Sequence, residues 1–385
     1  MMKYDFAILG AGIAGLTLLD TAFRRGLWLD KKILLVDRSF DKNPNKRISF
    51  WSTEENPLPH FEYLAWNKLA IFSNQGQQID LVTDEYRYFS FDASAYRANL
   101  LAKMANQSNV TMLEGEVENL EQKAGQCTIS VNSSLFHAEY VFQTIFEKPL
   151  LKAYNQYFLQ HFVGWKISTK QGSWDADKAI IMDYRTPQEN GTTFIYCLPV
   201  SEEEIFVEYT IFSKNLLSKE AYREKLTSYL SDVWNLDDYK IIEEEYGVIP
   251  MTDFAFDRRI GNIISLGSAG GDTRGSTGYT FTNTVRTIDL LLSAYQKGNL
   301  KGLSFPSRRK EQFYDAILLY VLDSGNYEGH ALFTDLFRKA KTTRIFRFLD
   351  SKSDFVNDLH IMLSLRTSPF LKGMFRLLKK KWFAL

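Results

Sequence analysis

Apolar and polar positions along the first fifty residues follow a simple order. Tyr4-Asp5-Phe6-Ala7-Ile8-Leu9 is a short apolar run bounded by Gly10, and Ile33-Leu34-Leu35-Val36 is a second that ends at Asp37. Between them a stretch from about Ile13 has helical spacing, with Gly26 near its end. Short apolar runs bounded by glycine read as buried strands, and the longer period between them as a helix. The pattern predicts a βαβ unit from Met1 to about Phe50. Residues 51–91 are loop-rich, with short alternating strands expected at Leu69–Phe72, Gln78–Val82 and Tyr86–Phe91. Ala93–Ala105 has helical periodicity. Val110–Val117, Cys127–Val131 and His137–Gln143 read as a β-meander covering the first unit.

A second region runs from about Gly164 to Tyr246. Strands are expected at Ala179–Asp183, Thr193–Leu198 and Ile205–Phe212, with a helix over Lys219–Val233. After Pro250 a buried-type strand returns at Asn262–Leu266, and a glycine-rich loop leads into a helix from about Phe281 to Gln296. From Pro306 onward the chain is predominantly helical.

The first turn carries specific chemistry. Gly10 permits the turn, Gly12 lets backbone approach a pyrophosphate, and Gly15 allows close packing of helix on strand. Asp37 lies 22 residues after Gly15 and is placed to accept hydrogen bonds from an adenosine ribose. Taken alone, this motif leaves FAD and a nicotinamide both open. The late loop, with Gly267, Gly270, Gly271, Asp272, Gly275, Gly278 and Tyr279, tips the choice to FAD. An extended flavin places its adenosine on the first motif and its isoalloxazine beside the second. The helix start near Gly278 is suited to negative charge on a reduced flavin.

Because nucleotide-binding signals lie at both ends of residues 1–296, the domains are expected to interleave. The expected fold is mixed α/β: a Rossmann-like FAD-binding domain of the hydroxylase type, an antiparallel-sheet substrate domain and a helical C-terminal part. The segments are 1–60 (FAD-binding), 61–160 (mixed, the meander completing that domain), 161–246 (substrate sheet), 247–300 (FAD-binding again) and 301–385 (helical).

Composition removes several alternatives. Forty-six basic and 46 acidic residues cancel, which gives no footprint for nucleic acid. Two cysteines and five histidines lack metal-ligand spacing, so no metal is expected. No run approaches the roughly 18 to 20 apolar residues that span a bilayer. Aromatic residues reach 15%, with 29 Phe and 20 Tyr. That excess fits either an aromatic-rich core or an apolar cavity whose ring faces meet a cation.

Several separate segments resemble the FAD-containing lycopene cyclases of bacteria and plants. They are Gly164-Trp165, Ile181-Met182-Asp183-Tyr184-Arg185, Phe194 to Pro199, Phe206-Val207-Glu208-Tyr209-Thr210, Gly247 to Met251, and Gly270-Gly271 with Ser276-Thr277-Gly278-Tyr279. Two departures accompany the match. Ser268 stands where related hydroxylase-fold flavoproteins carry an acid, and Lys46-Arg47-Ile48-Ser49-Phe50-Trp51 replaces the cyclases' Arg-Thr-Trp-x-Phe-Trp segment.

The resemblance implies acid-catalysed closure of the ψ-end of lycopene or a related linear carotene to a β-ring, without net redox. It also implies reduced FAD, kept so by NADPH. Glu208 is the expected catalytic carboxyl. It is the one ionisable carboxylate inside Ile205–Phe212, and burial would raise its pKa so that it holds a proton near neutrality. The residues alone also allow Glu208 to be an ion-pair partner of Arg185. Asp183 and Arg185 either shape the chamber or pair with each other. Trp165, Tyr196, Phe206 and Tyr209 either face a cation or are plain core. Asp272 either bonds near the isoalloxazine or caps a turn.

Basic and apolar residues interleave from Phe370 to Phe383, which reads as a helix lying on anionic lipid or as one packed on the body. The expected location is cytoplasmic, at the inner membrane face. Two other functions compete: a monooxygenase or halogenase of the same fold, and a non-enzymatic prenyl-lipid escort.

Overall fold

The computed structural model describes residues 3–383 except 43–44, 59, 124, 152–154 and 172–173, with side chains as far as Lys379. Its first sheet is built on Lys3–Leu9, flanked in parallel by Ile33–Asp37 on one side and Ser134–Gln143 on the other. Val110–Glu114 extends it beyond Ile33–Asp37, and Ile263–Ser265 beyond Ser134–Gln143, both in parallel. Strands buried on both faces need continuous apolar runs, and Ile8, Leu35 and Phe142 are fully buried.

One face is covered by the helices Ile13–Arg24, Ala93–Ala105 and Phe281–Gln296, through Leu16, Leu100 and Leu291 among others. The other is covered by the antiparallel pair Val117–Lys123 and Gln126–Val131. The expected run Val110–Val117 is broken at Gly115, whose N–H donates to the Asp37 carbonyl at 2.8 Å. The last strand of the expected meander also lies within the parallel sheet rather than over it.

The second sheet runs in the order Lys240–Thr252, Tyr157–Ser168, Glu204–Ser213, Thr192–Pro199, Lys178–Asp183, Lys68–Phe72 and Gln78–Leu81. Tyr157–Ser168 and Lys240–Thr252 run across the segment boundaries expected at 161 and 246, and Lys68–Phe72 and Gln78–Leu81 join this sheet from the segment 61–160. The helix Lys219–Trp234 packs on one face, where Val163, Trp165, Tyr209, Ile211 and Leu226 share a core. On the other face the helices of residues 309–349 bring Ile317, Leu332, Phe333 and Phe346 against Phe194, Phe206 and Phe212.

A small third sheet, Arg47–Ser52, Arg87–Asp92 and Leu64–Trp66, bridges the two larger ones. The segment that departs from the cyclase pattern therefore forms an edge strand here. Among the described residues no helix is long and apolar enough to cross a membrane.

The first glycine loop is held by a side chain that the motif does not contain. Arg97 is buried on the helix Ala93–Ala105. Its Nε donates to the Ala11 carbonyl, Nη1 to those of Phe40 and Lys42, and Nη2 to that of Ser39, all within 2.9–3.0 Å. Only a rigid planar fork reaches all four acceptors. Replacing Arg97 with Met leaves them without that donor and is expected to lower stability by about 2–3 kcal/mol, read as a fall in denaturant midpoint with unchanged slope.

Candidate functional site

A cavity of about 820 Å³ lies where both glycine loops, the second sheet and the C-terminal helices meet. Its lining changes character along its length. One end is backbone and hydroxyl, from Gly12, Ala14, Thr144, Gly267, Ser276 and Gly278. The middle carries Glu208, Glu245, Tyr88, Tyr196 and Tyr279, and the far end is apolar, through Phe333, Phe346, Ile361 and Phe370.

The polar end has the form of a dinucleotide cradle. A Cβ on Gly10, which has φ +100°, would lie 2.3 Å from Thr144 Oγ1, and one on Gly15 would lie 2.3 Å from the Gly10 carbonyl oxygen. These two glycines serve packing within the protein. Gly12 differs, because a Cβ there would meet nothing within 4 Å. The helix starting at Ile13 has no side-chain cap, so its first amides are free for an anion.

Asp37 accepts from Ala11 N–H at 2.6 Å and from Ser39 N–H at 3.1 Å, which ties the acid to the loop. In the second loop Gly278, with φ +72°, leaves room for Gln160 Oε1. That oxygen and Ser276 Oγ are buried without a hydrogen-bonding partner in a structure that contains only protein. Unsatisfied polar atoms lining a cavity fit a site completed by a polar ligand.

Asp272 caps the second loop. Its Oδ2 accepts from Gly267 N–H at 2.8 Å, and its Oδ1 accepts from Arg258 and Thr287 at 2.7 and 2.8 Å. With both oxygens engaged and only 1% of its surface exposed, it belongs to the loop and not to the cavity wall. Gly270 and Gly271 serve that turn as well: the cap of the short helical turn Gly267–Gly270 falls on Gly271, with φ +75°.

In the middle section, strand alternation selects the side chains. Glu208 stands in Glu204–Ser213 with Phe206 and Thr210 on its own side and Val207 and Tyr209 on the other. Gly164 pairs with Glu208 on one neighbouring strand and with Glu245 on the other, so both carboxyl groups project to one face. A Cβ on Gly164 would lie 2.4 Å from the Phe206 ring, so only glycine fits there.

Glu208 is 9% exposed and Glu245 4%. Their hydrogen bonds come from neutral groups, the Thr210 hydroxyl at 2.5 Å for Glu208 and the Arg47 amide at 2.9 Å for Glu245. Burial pushes the Glu208 carboxyl up to about 7, partly offset by the Thr210 bond. Burial, reinforced by the charge of Glu208, also drives Glu245 well above the carboxylate range. The shift on Glu208 corresponds to about 3 kcal/mol of resistance to ionisation.

Above the carboxyl groups sits a tyrosine chain. Tyr196 donates to the Tyr88 oxygen, and the Tyr88 and Tyr279 oxygens are 2.7 Å apart. Burial raises all three, so they stay neutral. Trp51 stacks on Phe346 and meets Tyr279 edge-on, with ring centroids 4.8 and 4.4 Å away.

A sequence model of the family described as lycopene cyclase protein matches residues 5–377, nearly the whole chain. The chain belongs to the lycopene cyclase family. Within it, the chain is 24% identical over 304 residues to a lycopene beta-cyclase of Pantoea ananas, covering 75% of this chain and 74% of that protein. It is 22% identical over 308 residues to a chloroplastic lycopene beta cyclase of Arabidopsis thaliana, covering 75% of this chain and 60% of that one.

Among solved structures, a geranylgeranyl bacteriochlorophyll reductase-like protein from Thermoplasma acidophilum superposes with TM-score 0.62. It is 13% identical, with 98% of this chain and 100% of that one covered. A probable FAD-dependent monooxygenase from Pseudomonas aeruginosa gives 0.53 at 12% identity, with 91% and 100% covered. These likenesses show the fold, the mixed α/β architecture expected from the sequence.

Within this cyclase-family chain the candidate residues divide. Glu208, Tyr196, Tyr279, Gly12, Gly267 and Gly278 line the cavity. Trp165 and Tyr209 do not: they fall on the opposite sheet face, packed beneath the helix Lys219–Trp234. Phe206 shares the face of Glu208 but lies in the core over Gly164. Asp183 and Arg185 pair with each other at 2.6 Å, and Asp183 also accepts from Tyr229 at 2.7 Å. Arg185 is thereby engaged away from Glu208, and neither member of the pair reaches the cavity.

Glu245, Arg47, Tyr88 and Gln160 join the site without having been singled out for it. Glu245 is hidden in Glu243-Glu244-Glu245, which looks like solvated surface; Glu244 does turn outward, to Arg223. The one signal for Glu245 was its alternation with Gly247 and Ile249, which face the cavity too.

Linkage gives a check on the buried carboxyl. The folded-state value of Glu208 exceeds the ordinary 4.5, so the native state binds more protons between there and about 7. Its contribution is present at acid pH and lost as pH rises through about 7. Stability measured from pH 4.5 to 7.5 is expected to decline less steeply in Glu208→Gln than in the parent protein. Equal slopes would place that carboxyl in solvent.

Proposed function

We propose that this protein closes the ψ-end groups of a linear carotene such as lycopene to β-rings, as a flavin-dependent acid catalyst without net redox change. The observation that carries the reading is Glu208: a buried carboxyl group with no ion-pair partner among the described residues, raised by burial to about 7 so that it keeps a proton toward neutral pH, in a cavity that turns from polar to apolar on either side of it. FAD would be held at its adenosine end by Gly12 and Asp37, in the turn that Gly10 and Gly15 shape, and at its ring end by the Gly267–Tyr279 loop. Its reduced form, maintained by NADPH, would supply negative charge at the polar end of the cavity.

Glu208 gives its proton to C2 of the terminal C1=C2 bond, and C1 becomes cationic. The C5=C6 pair then forms the C1–C6 bond and moves the charge to C5, and loss of the C6 proton restores a double bond. One proton enters and one leaves. Tyr196 and Tyr279, with Tyr88 and Trp51 behind them, offer neutral ring faces and no strong base, so the cation is steadied without being quenched. Closure in a dry site strengthens each of these interactions.

Access from a cytoplasmic membrane face is part of the proposal. Phe355, Val356, Leu359 and Leu363 are exposed on the helix Phe355–Ser364, and Leu371, Phe375 and Leu378 on the next helix. Met362, Leu365, Phe370 and Leu371 also line the outer end of the cavity. Asp358, the acid of this stretch, is buried against Lys310, whereas Lys372 and Arg376 face outward. The expected contribution of Lys380, Lys381, Trp382 and Phe383 lies outside the described side chains.

Two measurements test the function. Glu208→Gln in a lycopene-accumulating bacterial host is expected to retain bound flavin yet lose cyclised pigment at least a hundredfold by chromatography. Full conversion by that variant removes Glu208 from the mechanism. Separately, Phe355→Glu with Leu363→Glu is expected to move the protein from sedimented membranes to the supernatant. Undiminished sedimentation would remove this helix from the contact.

A further inference from the structure

We propose that Glu245 is a positioning residue for this chemistry, sharing with Glu208 the proton that ring closure consumes and regenerates. The inference rests on the cyclase reading and extends it to a carboxyl group that the reaction scheme above does not use. Gly164 stands between the two in register, so the carboxyl groups project from strands two apart, with about 10 Å between their Cα atoms and the Phe206 ring lying over the intervening glycine. Both line the same cavity.

Two carboxyl groups buried on one cavity wall do not readily carry two charges. The pair therefore keeps at least one proton to higher pH than either group would alone, and it titrates as a unit. When Glu208 gives up its proton to carbon, Glu245 limits the charge left behind, and the proton released from C6 restores the pair. No oxidant or reductant is consumed.

The surroundings can hold this balance. Lys46 and Arg47 supply the nearest positive charge to Glu245, with Arg47 also donating its amide. Asp92 and Glu243 offset part of that charge at Arg47. Tyr196 and Tyr279 face Glu208 and are neutral. On the central strand Lys166 is occupied by Glu204 at 2.9 Å.

The test is the pH profile of ring formation by flavin-loaded, reduced protein acting on lycopene in phosphatidylglycerol vesicles, from pH 5.5 to 9. Glu245→Gln is expected to fold and keep its flavin while the alkaline limb moves at least one unit toward acid. At pH 8 that is about a tenfold loss of rate. Glu245→Asp, with a shorter carboxyl, is expected to move the limb by less, and it decides the matter should the Gln variant not fold. A limb that stays in place, or a uniform loss of rate at every pH, overturns the proposal and leaves Glu245 a purely structural residue. Parent protein that forms no ring from lycopene at any pH removes the cyclase reading as well; an active parent with an unmoved limb removes this inference alone.

Discussion

A carboxyl group set into an apolar sheet face can ionise only at a cost of several kcal/mol, and the remainder of this site is arranged around that penalty. Among the described residues Glu208 receives one hydroxyl, from Thr210, and pairs with no cation. The nearby guanidinium that the sequence offered, Arg185, is tied to Asp183 instead. Had it reached Glu208, the carboxyl would be an ion-pair partner, ionised at neutral pH and unable to act as an acid. The acid character follows from what is kept away as much as from what is present.

Keeping bulk water away from these carboxyl groups requires walls from distant parts of the chain. The sheet gives a floor, Gly164 makes room in it for the Phe206 ring, and the strand Arg47–Ser52 closes one side through Ser49 and Trp51. The C-terminal helices supply the apolar roof. Trp51 bonds to Asp350 at 2.9 Å, and Arg274 bonds to Asp315 at 3.0 Å. These buried contacts fasten that roof to the small sheet and to the second glycine loop. Polar ties of this kind add registry more than net stability.

The interleaving of the chain has a physical purpose in the same frame. Both glycine loops leave the first sheet at the same edge, because Lys3–Leu9, Ser134–Gln143 and Ile263–Ser265 run parallel and so end together. Ligands of open α/β sheets bind beyond those carboxyl ends. The second sheet is inserted between the loops in sequence, and its open face is thereby brought against the same edge. One cavity then holds a nucleotide cradle at one end and a hydrocarbon-lined chamber at the other.

Much of this was legible in the residues alone, wherever a short-range pattern carries the information. The glycine spacing specified the first turn, the apolar runs specified the parallel strands, and the alternation in Ile205–Phe212 put Glu208 on one face. The residues whose place the sequence left open share a different origin. Trp165 and Tyr209 sit one residue from inward-facing positions, and a period of two sends neighbours to opposite sides; which side holds the cavity is set by the packing of the helix Lys219–Trp234. Asp272 takes the turn-capping one of its two expected places because Arg258 and Thr287, both more than ten residues away, claim one of its oxygens. Glu245 gained its place because three strands align it with Gly164 and Glu208. Local order thus determined the elements and one buried acid, whereas partnership between residues on separate elements, which is decided only when sheets and helices pack, fixed what surrounds it.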